Sequence, residues 1–334
     1  THRAIDAVWR IESARVIAGL ARMLRDLDLA EELAQDALVA ALETWPRDGV
    51  PDNPGAWLMT TAKRRAIDRL RRLQLLDRKH EELARELEDI QDERRSRDED
   101  ALDHDIDDDL LRLVFVSCHP VLSMDARVAL TLRLLCGLTT DEIARAFLAA
   151  EPTVAQRIVR AKRTLAEADV AFEVPRGDAL QERLASVLGV VYLVFNEGYA
   201  ATSGDDWVRP ALCEEALRLG RMLAALTPRE PEVHGLVALM EIQASRLHAR
   251  VGKDGEAVLL LDQDRSRWDQ LLIRRGLEAL ARAEQLGGAF GPYALQAAIA
   301  ACHARARTAD ATDWMRLATL NAALASIKAG GTVS

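Results

Sequence analysis

The segment WLMTTAKRRAIDRLRRL, residues 57–73, contains six positively charged side chains in a stretch of ten residues. They are Lys63, Arg64, Arg65, Arg69, Arg71 and Arg72. Asp68 is the one negatively charged residue among them. Arg and Lys at this density can neutralise the phosphates of a nucleic acid. Trp57, at the start of the segment, offers a ring on which a base could stack. The segment predicts a nucleic-acid contact; the alternative is a solvated basic surface with Trp57 in the core.

A second segment, DLAEELAQDALVAALETW (residues 28–45), concentrates the opposite charge. Asp28, Glu32 and Asp36 are four residues apart, and Glu31 and Gln35 lie beside them. Like charges at this spacing cost an isolated helix a few tenths of a kcal/mol each. A cationic partner surface would explain this acidic stripe, although soluble helices also tolerate such stripes unpaired.

The segment LTTDEIARAFLAAEPTVAQRIVRAKRTL, residues 138–165, has the pattern of two short helices. Thr139 and Glu142 have capping-box spacing at the start of the first helix, and Pro152 favours the first turn of the second. An apolar stripe at three- and four-residue spacing predicts the buried side of the second helix: Val154, Ile158, Ala161 and Leu165. Its opposite side is basic and polar. The pattern is typical of a helix-turn-helix that reads duplex DNA, or of an ordinary helical hairpin.

Residue types that would support catalysis or metal binding are scattered. The four cysteines, Cys118, Cys136, Cys213 and Cys302, show no paired spacing and indicate small buried side chains. His234 and His248 lie fourteen residues apart, which is not a ligand spacing, and no Gly-rich phosphate loop is present. We therefore expect no catalytic residue, no metal site, no cofactor and no enzymatic activity.

Composition predicts helices as the elements that position these residues. The 334 residues are rich in Ala, Leu and Arg and poor in aromatic residues, which favours an all-α protein of two or three domains. Residues 77–109 contain sixteen acidic and six basic residues, so they alone account for the net charge of −9. We expect this stretch to be a mobile, solvated linker. No apolar run approaches the roughly 20 residues of a membrane span, and no signal peptide is evident, which predicts a cytoplasmic protein that contacts no membrane.

Taken together, these motifs resemble an extracytoplasmic-function (ECF) sigma factor of bacterial RNA polymerase, in the sigma-70 family. Residues 28–45 resemble the family's region 2.2, residues 53–72 its regions 2.3 and 2.4, and residues 138–165 its region 4.2. The resemblance implies two small helical modules and a further helical domain. Their expected bounds are region 2 at 1–75, an acidic linker at 76–109, region 4 at 110–172 and a C-terminal extension at 175–334.

The resemblance also assigns roles to residues. The clamp helices of the polymerase largest subunit would bind the acidic stripe: Asp28, Glu31, Glu32, Gln35 and Asp36. The −10 promoter element would be melted and bound by Trp57 together with the basic group Lys63, Arg64, Arg65, Arg69, Arg71 and Arg72. The −35 element would be read by Thr139, Thr140, Thr153, Gln156, Arg157, Arg160 and Arg163. The flap of the second-largest subunit is a further expected partner, and the protein would associate with the nucleoid.

One part of the helix-turn-helix departs from the family pattern. Leu148, Ala149 and Ala150 occupy the turn where the family commonly has glycine. We therefore expect the turn to follow a different backbone path, because a residue with a Cβ disfavours the conformation that glycine adopts freely.

The C-terminal extension contains several more amphipathic helices, including 269–286, 293–306 and 313–327. Paired helices with Ala at close contacts resemble tetratricopeptide (TPR) repeats, and the extension resembles that of a sigma subgroup carrying such a domain. We expect it to regulate or support the sigma modules, with a protein partner, and to continue past Ser334 in the native chain. Arg265 and Arg267 are expected to pair with nearby carboxylates. The alternatives are a stand-alone helix-turn-helix regulator and a repeat-scaffold adaptor.

Overall fold

The computed structural model of the chain describes residues 2–76, 99–199, 209–252 and 256–330. Thirteen α-helices account for most of these residues, and the one β-type pairing found among them is an isolated bridge between Val251 and Ala257. The predicted all-α fold class is confirmed. Within the described ranges, none of the helices combines the length and the hydropathy needed to cross a bilayer.

The chain divides into two compact units, and the first contains residues 1–145 and 149–187. Its helices are α1 His2–Leu24, α2 Leu27–Asp48, α3 Pro54–Leu76, α4 Glu99–Ser117, α5 Met124–Leu134, α6 Thr140–Ala146 and α7 Glu151–Glu167. Both predicted sigma modules therefore lie in this one unit, where α1 packs against α2, α3, α4 and α5. The sequence had predicted them as two modules separated by a solvated linker.

The second unit contains residues 146–148 and 188–334. The remaining helices are α8 Asp178–Tyr199, α9 Pro210–Leu226, α10 Pro231–Ala244, α11 Gln270–Gln285, α12 Pro292–Arg305 and α13 Trp314–Gly330. Of these, α10 lies centrally, in contact with α9, α11 and α12. Gly235 permits a close approach to α12, because a Cβ there would lie 2.7 Å from the Ala294 nitrogen. The extension is helical as predicted, and the TPR-like pairing stays a prediction.

Local capping signals fix where α2, α3 and α5 begin. The Asp26 carboxylate accepts a hydrogen bond from the Leu29 backbone N–H at 3.0 Å. The Asn53 side-chain oxygen accepts a hydrogen bond from the Ala56 backbone N–H at 3.0 Å, and the Ser123 hydroxyl accepts one from the Ala126 backbone N–H. Each side chain satisfies a backbone donor that the first turn of a helix leaves without a partner. At the end of α2, Gly49 adopts a φ of +88°, which terminates the helix before the loop to α3.

Apolar faces of α2 and α3 form much of the first unit's core, as their periodicity predicts. Buried residues recur every four positions on these faces: Leu33, Ala37 and Ala41 on α2, and Leu58, Ala62 and Ala66 on α3. Trp45, which is 2% exposed, lies among them and packs edge-on against Trp57 at 5.3 Å between ring centroids. Because this face of α3 is buried, Arg64, Arg69, Arg71 and Arg72 on its other faces are exposed.

The linker prediction fails at the C-terminal end of the acidic stretch. Residues 77–98 lie outside the described part of the chain, but α4 begins at Glu99, inside the predicted linker. Asp109, in the same predicted linker, is 2% exposed and forms ion pairs with Arg22 at 3.1 Å and Arg112 at 2.5 Å. A carboxylate enclosed by two guanidinium groups is part of the core and not of a solvated spacer.

Candidate polymerase and nucleic-acid interfaces

The helix-turn-helix begins with the predicted capping box. The Glu142 backbone N–H donates to Thr139 Oγ1 at 3.1 Å, and the Thr139 backbone N–H donates to Glu142 Oε2 at 2.8 Å. Burial raises the pKa of Glu142, but hydrogen bonds from Thr139 and Arg10 outweigh this effect and lower the pKa overall. The Glu142 carboxylate is therefore kept charged where it stabilises the first turn of α6.

The turn between α6 and α7 contradicts the expectation of a non-glycine path. Leu148 adopts a φ of +49°, in the left-handed region that glycine normally occupies at a helix end. The Ala149 backbone N–H donates to the Ala144 carbonyl at 2.9 Å, which closes the helix in the usual way. The turn therefore keeps the glycine geometry, and Leu148 carries a local backbone strain.

Replacing Leu148 with glycine is expected to raise the free energy of unfolding by about 1 kcal/mol, because the strain is removed. Leu148 is 57% exposed, so the lost side chain costs little burial. The Leu148→Ala variant is the control, since it loses the side chain but keeps a Cβ in the left-handed conformation. Urea denaturation of both variants would measure the difference; equal stabilities would contradict the strain.

The second helix of the pair, α7, places its apolar stripe inward as predicted. Val154, Ile158, Ala161 and Leu165 are each at most 6% exposed. Thr153, Gln156, Arg160 and Arg163 lie on the exposed side. Residues spaced along one exposed side of a helix can reach base edges and phosphates together when that helix enters a major groove.

The other residues predicted to contact the −35 element differ in their exposure and in the partners that they already have. Thr139 is exposed and Thr140 half-buried at the start of α6, where Thr139 already serves as the cap. Arg157 forms an ion pair with Asp125 at 3.2 Å, and Arg163 pairs with Glu167 at 2.7 Å. Exposed pairs of this kind contribute at most about 1 kcal/mol and exchange readily for a phosphate partner.

On α3, the structure separates the predicted basic group into an outward part and an inward part. Arg64, Arg69, Arg71 and Arg72 are exposed, whereas Arg65 is half-buried and pairs with Asp36 at 3.4 Å. Lys63 is turned inward: burial and nearby Arg22 lower its pKa, and Asp109 partly opposes this. The prediction that Lys63 contacts DNA is therefore not supported by its position in this arrangement.

Trp57 does not stand free for base stacking. Trp57 is half-buried and its ring packs against Trp45, which agrees in part with the core interpretation; the contact with a base stays a prediction. One edge of a half-buried indole can still meet a base at the surface.

The acidic stripe on α2 is also divided. Glu32 is exposed, Gln35 and Asp36 are half-buried, and Asp28 is exposed but pairs with Lys162 at 2.7 Å. Glu31, predicted to bind polymerase, is only 6% exposed. It cannot touch a partner protein in this arrangement, which corrects its place in the predicted surface.

Glu31 lies instead at the centre of an ion-pair cluster, which we call the Glu31 cluster and define as Asp28, Glu31, Arg133 and Lys162. Glu31 Oε1 accepts from Arg133 Nε at 2.5 Å, and Oε2 pairs with Lys162 Nζ at 2.5 Å. The Lys162 side chain is only 9% exposed. In addition, Arg10 of α1 pairs with Glu142 of α6 at 2.8 Å. These contacts hold the region carrying α6 and α7 against α1 and α2.

Comparison with known protein families identifies the family to which this chain belongs. Residues 10–75 match Sigma-70 region 2, residues 112–165 match Sigma-70, region 4, and residues 183–284 match a family of unknown function, DUF6596. An uncharacterised protein of Rhizobium meliloti (strain 1021) is 43% identical over 331 residues, covering 99% of this chain and 77% of that protein. No solved structure matches the chain.

The chain belongs to the sigma-70 family. It is an ECF-like sigma-70 factor with an additional C-terminal domain, which confirms the resemblance seen in the sequence. Sigma-70 regions 2 and 4 bind core RNA polymerase and promoter DNA, and they act in promoter-directed transcription without catalysing a reaction.

Two residues of this sigma-70 factor were missed in the sequence: Arg133 and Lys162 of the Glu31 cluster. Lys162 directly follows Ala161 of the buried stripe on α7. A charged residue at the edge of an apolar stripe is the signal that could have identified it, since such a residue often needs a partner.

The four cysteines of the sigma-70 factor are buried and form no disulfide bond, as predicted. Burial raises the pKa of Cys118 to about 11 and that of Cys213 to about 12, so both stay as unreactive thiols. Within the described ranges, no group of His, Cys, Asp or Glu side chains could hold a metal ion.

Proposed function

We propose that this sigma-70 factor grips the clamp helices of the polymerase largest subunit through the exposed carboxylates of α2. The supporting observation is the concentration of charge by surface: Glu32 and Asp28 are exposed on α2, whereas α3 and α7 carry groups of exposed arginines, namely Arg64, Arg69, Arg71 and Arg72 on α3 and Arg160 and Arg163 on α7. A protein that must hold a cationic protein surface and a polyanion at once requires this separation.

In the same proposal, residues 1–75 form the −10 module. The exposed arginines of α3 hold the phosphates of the melted strand, and Trp57, packed edge-on against Trp45, meets a base. The set proposed to contact DNA is Trp57, Arg64, Arg65, Arg69, Arg71 and Arg72. Lys63 supports the fold of the module rather than the contact.

Residues 110–172 form the −35 module in this proposal, which also binds the flap of the second-largest subunit. The N-terminal half of α7 enters the major groove in this proposal, and Gln156 and Arg157 contact base edges there. The exposure of Gln156 supports this assignment. Arg160 and Arg163 lie farther along the exposed side and suit phosphate contacts. The Thr139 and Thr140 hydroxyls at the start of α6 flank the same groove.

The packed form of the first unit is a closed state in this proposal. The Glu31 cluster encloses a carboxylate of the acidic stripe beneath Arg133 and Lys162, so polymerase cannot use that carboxylate until α5 and α7 move away from α2. The C-terminal extension, residues 175–334, would regulate or support this opening through a protein partner.

Co-purification with core RNA polymerase, followed by run-off transcription from the DNA upstream of the protein's own gene, tests the proposal. A sigma factor forms a stable complex with core polymerase and starts transcription at a defined site. A stand-alone helix-turn-helix regulator would bind duplex DNA tightly without polymerase. A repeat-scaffold adaptor would show no salt-sensitive affinity for promoter DNA.

Replacing Arg160 by alanine is expected to weaken binding of the −35 duplex uniformly across sequences and to reduce the salt slope by about one unit. The physical reason is the loss of one phosphate contact from an exposed guanidinium group. Fluorescence anisotropy of the polymerase complex over a series of salt concentrations measures the slope. Arg145→Ala, which removes an exposed arginine paired with Asp141 on α6, is the matched control; an unchanged slope in Arg160→Ala would exclude the contact.

A further inference from the structure

Three arginines of the second unit stack on two aromatic rings. The Arg250 Cζ atom lies 3.7 Å from the Tyr199 ring centroid. The Arg246 Cζ atom lies 5.9 Å from the Tyr199 centroid and 5.8 Å from that of Trp268. The Arg265 Cζ atom lies 5.0 Å from the Trp268 centroid. Cation and ring thus alternate along a series that we call the arginine ladder: Arg250, Tyr199, Arg246, Trp268 and Arg265.

Carboxylates do not balance the charge of the arginine ladder within the part of this unit that the structure describes. The ion pairs found there engage Arg209, Arg218 and Arg221 instead. Arg265, expected from the sequence to pair with a carboxylate, donates to the backbone carbonyls of His303 at 2.6 Å and Ala306 at 2.8 Å. Its charge is thus fixed beside Trp268 by the C-terminal end of α12.

Several hydrogen-bond donors of the arginine ladder are enclosed without an acceptor among the described residues. They are Arg246 Nε, Arg250 Nε and Trp268 Nε1. Burial lowers the pKa of Arg246, and the positive charges of Arg250 and Arg265 add to this effect against the influence of Tyr199. The two rings offset part of the cost of gathering these cations. They supply no acceptor for the enclosed donors and no full negative charge.

We propose that the arginine ladder is a binding site for a small anion with a carboxylate or phosphate group. Arg246 and Arg250 are four residues apart across the short 3-10 helix Leu247–Ala249, and their Cζ atoms lie 5.9 Å and 3.7 Å from the same Tyr199 ring centroid, so their guanidinium groups are neighbours. Paired guanidinium groups hold planar or tetrahedral oxyanions through several charge-assisted hydrogen bonds. Both arginines remain partly accessible, which allows an anion to reach them.

Through the arginine-ladder site, the C-terminal extension would bind a small anion, and this site shares no residue with the proposed polymerase and DNA surfaces. The ladder joins α8, through Tyr199, to the segment after α10 and to the 3-10 helix Arg265–Arg267. An anion bound there would brace three separate segments of the second unit and so stabilise its fold.

Thermal unfolding of the full chain tests the site, with sodium phosphate and sodium succinate as probes against sodium chloride at matched ionic strength. At millimolar concentration, one or both probes should raise the unfolding midpoint by about 3 °C. A response to phosphate alone or to succinate alone identifies which oxyanion the site prefers. Arg250→Met should lose the rise, while Arg275→Met, which removes an exposed arginine of α11, should keep it.

A second variant protects the test against a folding defect in Arg250→Met. Arg250→Lys keeps the charge but loses the planar fork, so it should retain the fold and show a reduced rise. Circular dichroism confirms the helical content of each variant. Equal midpoints in all three salts for the unmodified chain, or an anion response in both Arg250 variants equal to that of the unmodified chain, would overturn the proposal.

Discussion

Core RNA polymerase should bind the Glu32→Lys, Asp36→Lys double variant at least about tenfold more weakly than the unmodified chain. Glu32 is exposed on α2, and Asp36 is half-buried one turn farther along. Reversing both charges turns attraction for a cationic clamp surface into repulsion. Affinity for core polymerase, measured by anisotropy with a labelled sigma factor, gives the change directly.

The charge reversal should leave the fold intact, because neither carboxylate is enclosed. Asp36 does lose its ion pair with Arg65, but partly exposed pairs contribute at most about 1 kcal/mol. Glu182→Lys on α8 is the matched control, since it makes the same change at an exposed carboxylate outside the acidic stripe. If the double variant and this control bind polymerase equally well, the stripe is not the polymerase contact.

Covalent locking of the closed state is expected to reduce promoter-directed transcription by about a hundredfold. Asp28→Cys and Lys162→Cys place one thiol on α2 and one on α7, where the native side chains meet at 2.7 Å. A short bismaleimide joining the two thiols would keep α7 on α2 and hold Glu31 enclosed. Run-off transcription before and after cross-linking measures the effect.

Each single-cysteine variant treated with the same reagent is the control for the locking experiment. The native cysteines are buried, and burial raises the pKa of Cys118 and Cys213, so they should react slowly with the maleimide. A cross-linked double variant that transcribes as well as its untreated form would show that the closed state already binds polymerase. The sigma assignment itself would survive that result, because co-purification tests it separately.

Local sequence patterns predicted the helices of this protein well. The apolar stripe on α7 is buried at all four predicted positions, and the Thr139–Glu142 capping box forms as expected. These features depend on residues within one or two turns of each other, so the period of a helix and the chemistry of its first turn are sufficient.

The backbone path of the turn after α6 could not be predicted from the local sequence. The absence of glycine predicted another path, yet Leu148 adopts the left-handed conformation. The helix that follows the turn, α7, packs against α5. A backbone strain of about 1 kcal/mol is small beside the burial of the α7 stripe, so the packing prevails.

The acidic stripe on α2 shows which properties of this protein follow from the sequence and which depend on the tertiary structure. Composition, periodicity and the order of the motifs were sufficient to determine an all-α sigma-70 factor with an added helical domain. Only the tertiary structure separated Glu31 from its neighbour Glu32. The partner of Glu31, Arg133, is 102 residues away in sequence. Burial and ion pairing depend on which distant side chains meet in space, and helical spacing carries no information about them.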